Sequence, residues 1–248
     1  RVAAPVPSRD GGAVLVSAQP RAEGETAAAK ATVDRLRTAL PAAAGEGVRG
    51  DVGGVTAAQT DIGQLISASM WKILLFLLGL SYLVLLVLLR SVVLPLKAVL
   101  MNLLSVGAAF GVLTLVYGEV DILTPPLVLA VVFGLSMDYE VFLLSRIRER
   151  YEATGDTRTA VAEGLAASAR TITSAAAIMV AVFAVFIAVG VPSIQQIGLG
   201  TAVAIAIDAT LVRLILVPAT MELLGDWNWY LPRPLARILP RTEVEALA

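Results

Sequence analysis

Five side chains in this sequence have types and positions suited to handling a proton inside an apolar environment: Asp138, Tyr139, Glu140, Asp208 and Arg213. An ionised group in hydrocarbon costs from about 2.5 to more than 10 kcal/mol, so it is paired, solvated or functional. Desolvation disfavours the charged form of a carboxyl. A mid-membrane aspartate can therefore load a proton from one side and release it when water or a cation approaches. Asp138 follows Pro126 by 12 residues, about 18 Å along a helix rising ~1.5 Å per residue, which puts it past the midplane of a span. The hydroxyl of Tyr139 can donate to a carboxylate or shape a proton path. Asp208 follows Ile197 by 11 residues, near mid-depth, and Arg213 makes it either a secondary relay or half of a structural pair. Glu140 is about 200° round the helix from Asp138 and cannot share its face, so a structural place near the inner interface is expected, with a nearby Arg as a partner. The chain has no His and no Cys. Proton chemistry then falls to carboxylates and tyrosines, and neither a disulfide nor a thiolate metal site exists. The expectation is a non-enzyme with no catalytic residues, no cofactor and no metal.

These residues need spans to hold them. The chain is 57% apolar and 16% charged, against roughly 25% charge in soluble domains, and its mean hydropathy is +0.81. The imbalance is localised: residues 1–69 carry seven charges of each sign, while the 37 residues Thr171–Ile207 carry none. A span needs roughly 20 apolar residues. Five are predicted, at about 71–89, 98–117, 125–145, 171–190 and 197–217, the last two forming a hairpin broken at Gly190, Val191, Pro192 and Ser193. Lys and Arg are retained on the cytoplasmic side. The loops 118–124 and 190–196 have none, whereas the other loops hold Arg90 and Lys97, then Arg146, Arg148, Arg150, Arg158 and Arg170, then Arg233, Arg237 and Arg241. This predicts a multi-pass cell-membrane protein with residues 1–69 outside and the C-terminus in the cytoplasm. The charge of −1 speaks against a nucleic-acid partner.

Three domains are expected: a small extracytoplasmic α/β subdomain at 1–69, a transmembrane domain at 70–217, and a cytoplasmic interfacial tail at 218–248. In the first, Ala13–Ala18 reads as a strand, Glu25–Leu40 as a helix closed by Pro41, and Val48–Val55 as a second strand, a β-α-β element. Residues 146–170 read as a helix lying along the membrane surface, and Trp227, Trp229 and Tyr230 as an interfacial aromatic belt. Gly107 with Gly111, and Gly198, Gly200, Ala202, Ala204 and Ala206, suggest close helix packing.

The string from Phe133 to Tyr151, FGLSMDYEVFLLSRIRERY, closely resembles the hallmark of the MMPL family in the resistance-nodulation-division (RND) superfamily. Flanking stretches agree: GDVGGVTAAQTDI before the first span, LLRSVVLP after it, and GLGTAVAIAIDATLVRLILVPATM through the fifth. The resemblance covers nearly the whole chain and is weakest over residues 1–20. It implies proton-driven export of lipids or other hydrophobic molecules by a protein of twelve spans in two similar halves. This chain then corresponds to the C-terminal part, starting inside the second porter domain, and its partners are membrane lipids, a hydrophobic substrate, protons and the N-terminal half. The family's Asp-Tyr proton relay maps onto Asp138 and Tyr139. Two other readings compete with this one. One is an RND-like protein-export accessory subunit or sterol-sensing module on the same scaffold. The other is an intramembrane aspartyl protease using Asp138 and Asp208, against which stand the Asp-Tyr order and the GLSMD string at Gly134–Asp138.

Overall fold

The computed structural model describes residues 2–19, 26–44 and 47–239. It divides into two compact units, Arg1–Ala68 and Ser69–Ala248. In the first, β1 (Val6–Pro7) and β2 (Val14–Leu15) form an antiparallel hairpin, with Val6 opposite Leu15 and a further bridge between Val2 and Ala18. Asp10 and Gly11 turn the chain. The Asp10 carboxylate accepts from the Ser8 hydroxyl at 2.5 Å and the Gly12 N–H at 3.2 Å, and Gly11 has φ +70°, open to a residue without a Cβ.

Helix α1 spans Ala27–Ala44. It continues through Pro41 rather than stopping there; a proline this near the C-terminal end interrupts only the last turn, where the ladder of hydrogen bonds is already ending. Glu25, the expected start, lies outside the described residues. Val48–Val55 is not a strand: residues 48–53 carry no regular element and Val55 opens α2. With glycines at 50, 53 and 54 the stretch has few side chains to pack, and Gly54 has φ +103°. The expected β-α-β element is thus a hairpin followed by a helix. Arg37 of α1 clamps Asp61 of α2 through both terminal nitrogens, at 2.5 and 2.8 Å.

Five helices are long and apolar enough to cross a membrane: α2 (Val55–Leu89), α3 (Val93–Tyr117), α4 (Thr124–Thr154), α5 (Thr157–Val185, extended by a 3₁₀ turn to Ala188), and a composite fifth. The fifth consists of α6 (Pro192–Ile207), a π-helical stretch (Asp208–Leu216) and α7 (Val217–Leu224). A 3₁₀ turn (Gly225–Trp229) and α8 (Arg233–Ile238) follow. The helices outrun the predicted spans because hydrogen bonding continues past the apolar run into water-facing turns. Accordingly, 146–170 is not a separate surface helix. Gly155, with φ +68°, ends α4, and the Asp156 side chain caps α5 by accepting from the Thr159 N–H. Val161 is then buried against Leu143, Leu144 and Ile147.

The unit exposes large apolar side chains and buries several polar ones alongside an apolar core. Leu75, Phe76, Leu115, Ile178, Val182 and Ile215 are exposed, while Asn102, Ser105, Ser136, Asp208 and Arg213 are buried. Hydrocarbon supplies no hydrophobic drive between helices, so contact depends on close approach and polar bonds. Gly164 provides one such approach: a Cβ there would sit 2.9 Å from Ile147 Cα. Gly198 provides another, 2.7 Å from the Phe183 carbonyl. Gly107 and Gly111 do not, having nothing within 4 Å of such a Cβ; they stand on an open face of α3. Nor is Trp229 a free interfacial ring: it stacks on Tyr151 at 4.2 Å and its indole N–H donates to the Thr157 hydroxyl.

Candidate functional site

Helix α4 carries Ser136 and Glu140 four residues apart, hence on one face, with Asp138 on the opposite side. Ser136 and Glu140 are buried, while Asp138 is exposed and makes no hydrogen bond or ion pair among the described residues. Tyr139 is half-buried between the two faces.

Opposite Ser136 lies the π-helical stretch. Bonding of residue i to i+5 stacks residues five apart, whereas in an α-helix they would be about 140° apart. Asp208 and Arg213 are five apart, and the guanidinium meets the carboxylate at 2.8 Å, both residues being under 5% exposed. Arg213 Nε donates to Asp208 Oδ2 at 2.8 Å, and Nη2 donates to both the carbonyl and the hydroxyl of Ser136, the latter at 2.8 Å. The guanidinium carbon lies 5.6 Å from the centre of the Tyr139 ring, in cation–π range. One acceptor and one donor are left over: Asp208 Oδ1 and Arg213 Nη1 have no partner among the described residues.

The network extends into α3. The Ser136 hydroxyl lies 2.8 Å from Asp208 Oδ2 and 2.8 Å from Asn102 Oδ1, and Asn102 Nδ2 donates to Glu140 Oε2 at 3.1 Å. Lys97, one turn before Met101, is buried with its ammonium donating to the Val217 carbonyl at 3.4 Å. Among the described residues two acids, Glu140 and Asp208, and three bases, Arg90, Lys97 and Arg213, are buried, Asp208 and Arg213 as an ion pair. Removing one member of such a pair leaves an uncompensated buried charge costing about 3–5 kcal/mol. A small cavity between α4, α5 and α6 is lined by Leu135, Ser136, Tyr139, Ala176, Ile205 and Asp208, among others.

Of the residues singled out by sequence, the fold brings Tyr139, Asp208 and Arg213 together and leaves Asp138 facing outward. Asp138 and Asp208 form no hydrogen-bonded dyad within the chain. Glu140 is bonded to Asn102 rather than to an arginine. Sequence reasoning passed over Asn102 and Ser136, and it read Lys97 as a loop charge, whereas Lys97 lies buried within α3. The available signal was modest: Asn102 and Ser105 are polar interruptions of an otherwise apolar span, and a hydroxyl or amide in a helix is common enough to escape notice. Among the described residues no group of three or more His, Cys, Asp or Glu could hold a metal ion.

The model of the MMPL family matches residues 1–241 of the chain. The chain is 48% identical to the mycolic acid-containing lipids exporter MmpL11 of Mycolicibacterium smegmatis, over 97% of this chain and 27% of that protein. It is 49% identical to the heme uptake protein MmpL11 of Mycobacterium tuberculosis, over 98% and 26%. With the trehalose monomycolate exporter MmpL3 of Mycobacterium tuberculosis the identity is 37%, over 77% and 22%. The chain spans about a quarter of the length of the curated relatives it matches.

Proposed function

The chain belongs to the MMPL family, and on that premise we propose that it forms the C-terminal part of a proton-motive-force-driven exporter of lipids or other hydrophobic molecules. In this reading Asp138 and Tyr139 are the proton relay of the third span, and Asp208 with Arg213 is a secondary relay or the structural pair that holds the first in place. Residues 1–69 face the extracytoplasmic side, 70–217 cross the membrane and 218–248 lie in the cytoplasm. A second half, carried elsewhere, completes the transporter, since a cycle built on two pseudo-symmetric halves needs both. The names of the mycolic acid-containing lipids exporter and the trehalose monomycolate exporter support a lipid cargo.

The observation that carries the relay reading is the placement of the Asp-Tyr pair. Asp138 stands unpaired on an outward face of α4 while the adjacent Tyr139 reaches the Arg213 guanidinium. A carboxylate without an internal partner is free to exchange a proton with a group brought by the other half. The neighbouring phenol connects it to a buried charge pair. Asn matches Asp in size but cannot cycle a proton. In cells lacking their own copy of the gene, full-length Asp138→Asn is expected to abolish uncoupler-sensitive export of a hydrophobic reporter while the protein stays in the membrane. Unchanged export would make Asp138 structural and end the relay reading.

A further inference from the structure

We propose that Glu140 is a second proton-binding carboxylate of the transmembrane unit, coupled through Asn102 and Ser136 to the Asp208–Arg213 pair. The proposal rests on the reading of the chain as a proton carrier, but not on the role of Asp138.

An ionised carboxylate offers about four acceptor sites. Glu140, 6% exposed, fills one of them, from the neutral amide of Asn102. The charged groups facing it are Lys97 from α3 and Asp208 and Arg213 from the fifth span; none of them is within salt-bridge distance among the described residues. Such an acid is suited to taking up a proton rather than to neutralising a base.

The link lies in the Ser136 hydroxyl, which has one proton and two acceptors at the same distance, Asn102 Oδ1 and Asp208 Oδ2. With Glu140 ionised, Asn102 Nδ2 points to it and Oδ1 claims the Ser136 proton, so Asp208 Oδ2 is left with its Arg213 partners alone. When Glu140 gains a proton, an O–H bond forms on Oε2 and needs an acceptor. The Asn102 amide, whose two ends have nearly the same shape, turns over: Oδ1 accepts from Glu140 and Nδ2 donates to Ser136 Oγ. The Ser136 proton then swings to Asp208 Oδ2, which with Arg213 Nε beside it holds its charge. No N–H bond of Asn102 and no O–H bond of Ser136 breaks. Glu140 exchanges its proton with water, and the link passes on orientation alone. The Asp208 end of the link is open on one side: among the described residues Asp208 Oδ1 has no protein donor, and Asp208 lines the small cavity it shares with Ser136 and Tyr139.

The test is an infrared titration of the carboxyl C=O stretch in the full-length protein reconstituted in lipid, with every variant carrying Asp138→Asn so that this carboxyl drops out. Asp208→Asn is combined with Arg213→Gln so that no charge is stranded. Differences are taken against the protein lacking both acids (E140Q with D208N and R213Q), which cancels exposed carboxylates. The expected result is one titrating carboxyl band in D208N/R213Q that vanishes when E140Q is added. With Asp208 and Arg213 retained, the Glu140 band is expected to titrate at a different pH, and Ser136→Ala brings it back toward that of D208N/R213Q. Absence of an E140Q-sensitive band makes Glu140 a permanently charged structural group and overturns the proposal. A Glu140 band that titrates at the same pH with and without Ser136→Ala overturns the coupling. Export assays of D138N decide the relay reading separately, since the infrared bands read proton binding whether or not transport occurs.

Discussion

Single side chains decide the chemistry at two places along α4. At its buried middle, Ser136 must choose between two acceptors. Just past its C-terminal end Asp156 caps α5, with the Thr159 hydroxyl donating to Oδ2 at 2.5 Å and the Thr159 N–H at 2.9 Å. The hydroxyl bond, followed by the backbone one, holds this carboxyl below the usual carboxylate range. A group lowered in the folded state contributes stability that is fully present above its unfolded value, about 3.9, and lost as the pH falls through its folded value. Asn caps as well as Asp but does not titrate. Below about pH 4, the melting temperature of the detergent-solubilised parent is therefore expected to fall more steeply than that of Asp156→Asn; parallel curves would show that the charge contributes nothing. The same contrast between charged and neutral groups explains what could be read in the sequence. Asp138, Asp208 and Arg213 stand out in apolar runs because their charge is so costly there. Ser136 and Asn102 are cheap enough to pass as ordinary helix residues, and only the fold reveals that they connect the charges.

Among the elements, the π-helical stretch Asp208–Leu216 has the clearest effect on the site. A π segment is an α-helix with one residue too many, so its two flanks keep the faces they would have without the extra residue. Deleting the exposed Leu211 leaves Arg213 four residues from Asp208, still on its face, and keeps Val217 and Met221 in the core. Inserting an alanine after Thr210 instead rotates everything beyond by about 100°. The deletion is expected to melt close to the parent and the insertion to lose Val217 and Met221 from the core and melt far lower, measured by thermal unfolding in detergent. Equal losses would mean that the segment is not an inserted residue. Element existence was legible wherever a long apolar run forced it: five spans and the break before Pro192. Length was less so, because the turns beyond each run are held by caps such as Gly155 and Asp156 rather than by hydropathy. The strand expected at Val48–Val55 failed because three glycines remove the packing that would define it, and the nearer Asp10–Gly11 turn offered β2 a partner already adjacent in the chain.

At the scale of the molecule, the transmembrane unit turns its polar residues inward and leaves one outward face marked by Gly134 and Asp138, four residues apart on α4. Its interior is assembled from distant parts of the sequence: Ser136 bonds to Arg213 across 77 residues and to Asp208 across 72. This separation sets a clock. At about 5–20 residues per second of synthesis, the ribosome needs roughly 4–15 s after making Ser136 to supply Arg213. For that interval Asn102, Ser136 and Glu140 have only one another for company in the bilayer, and each buried polar group left without a partner costs about 1–3 kcal/mol. A chain released after Ile207, which keeps only α6 of the fifth span, is expected to be degraded several-fold faster in pulse-chase than one released after Leu224. Equal half-lives would mean that the network forms no part of what the cell's quality control reads. The closing half of the final span thus acts on the timing of biogenesis, as the point at which the bundle stops being a substrate for proteolysis.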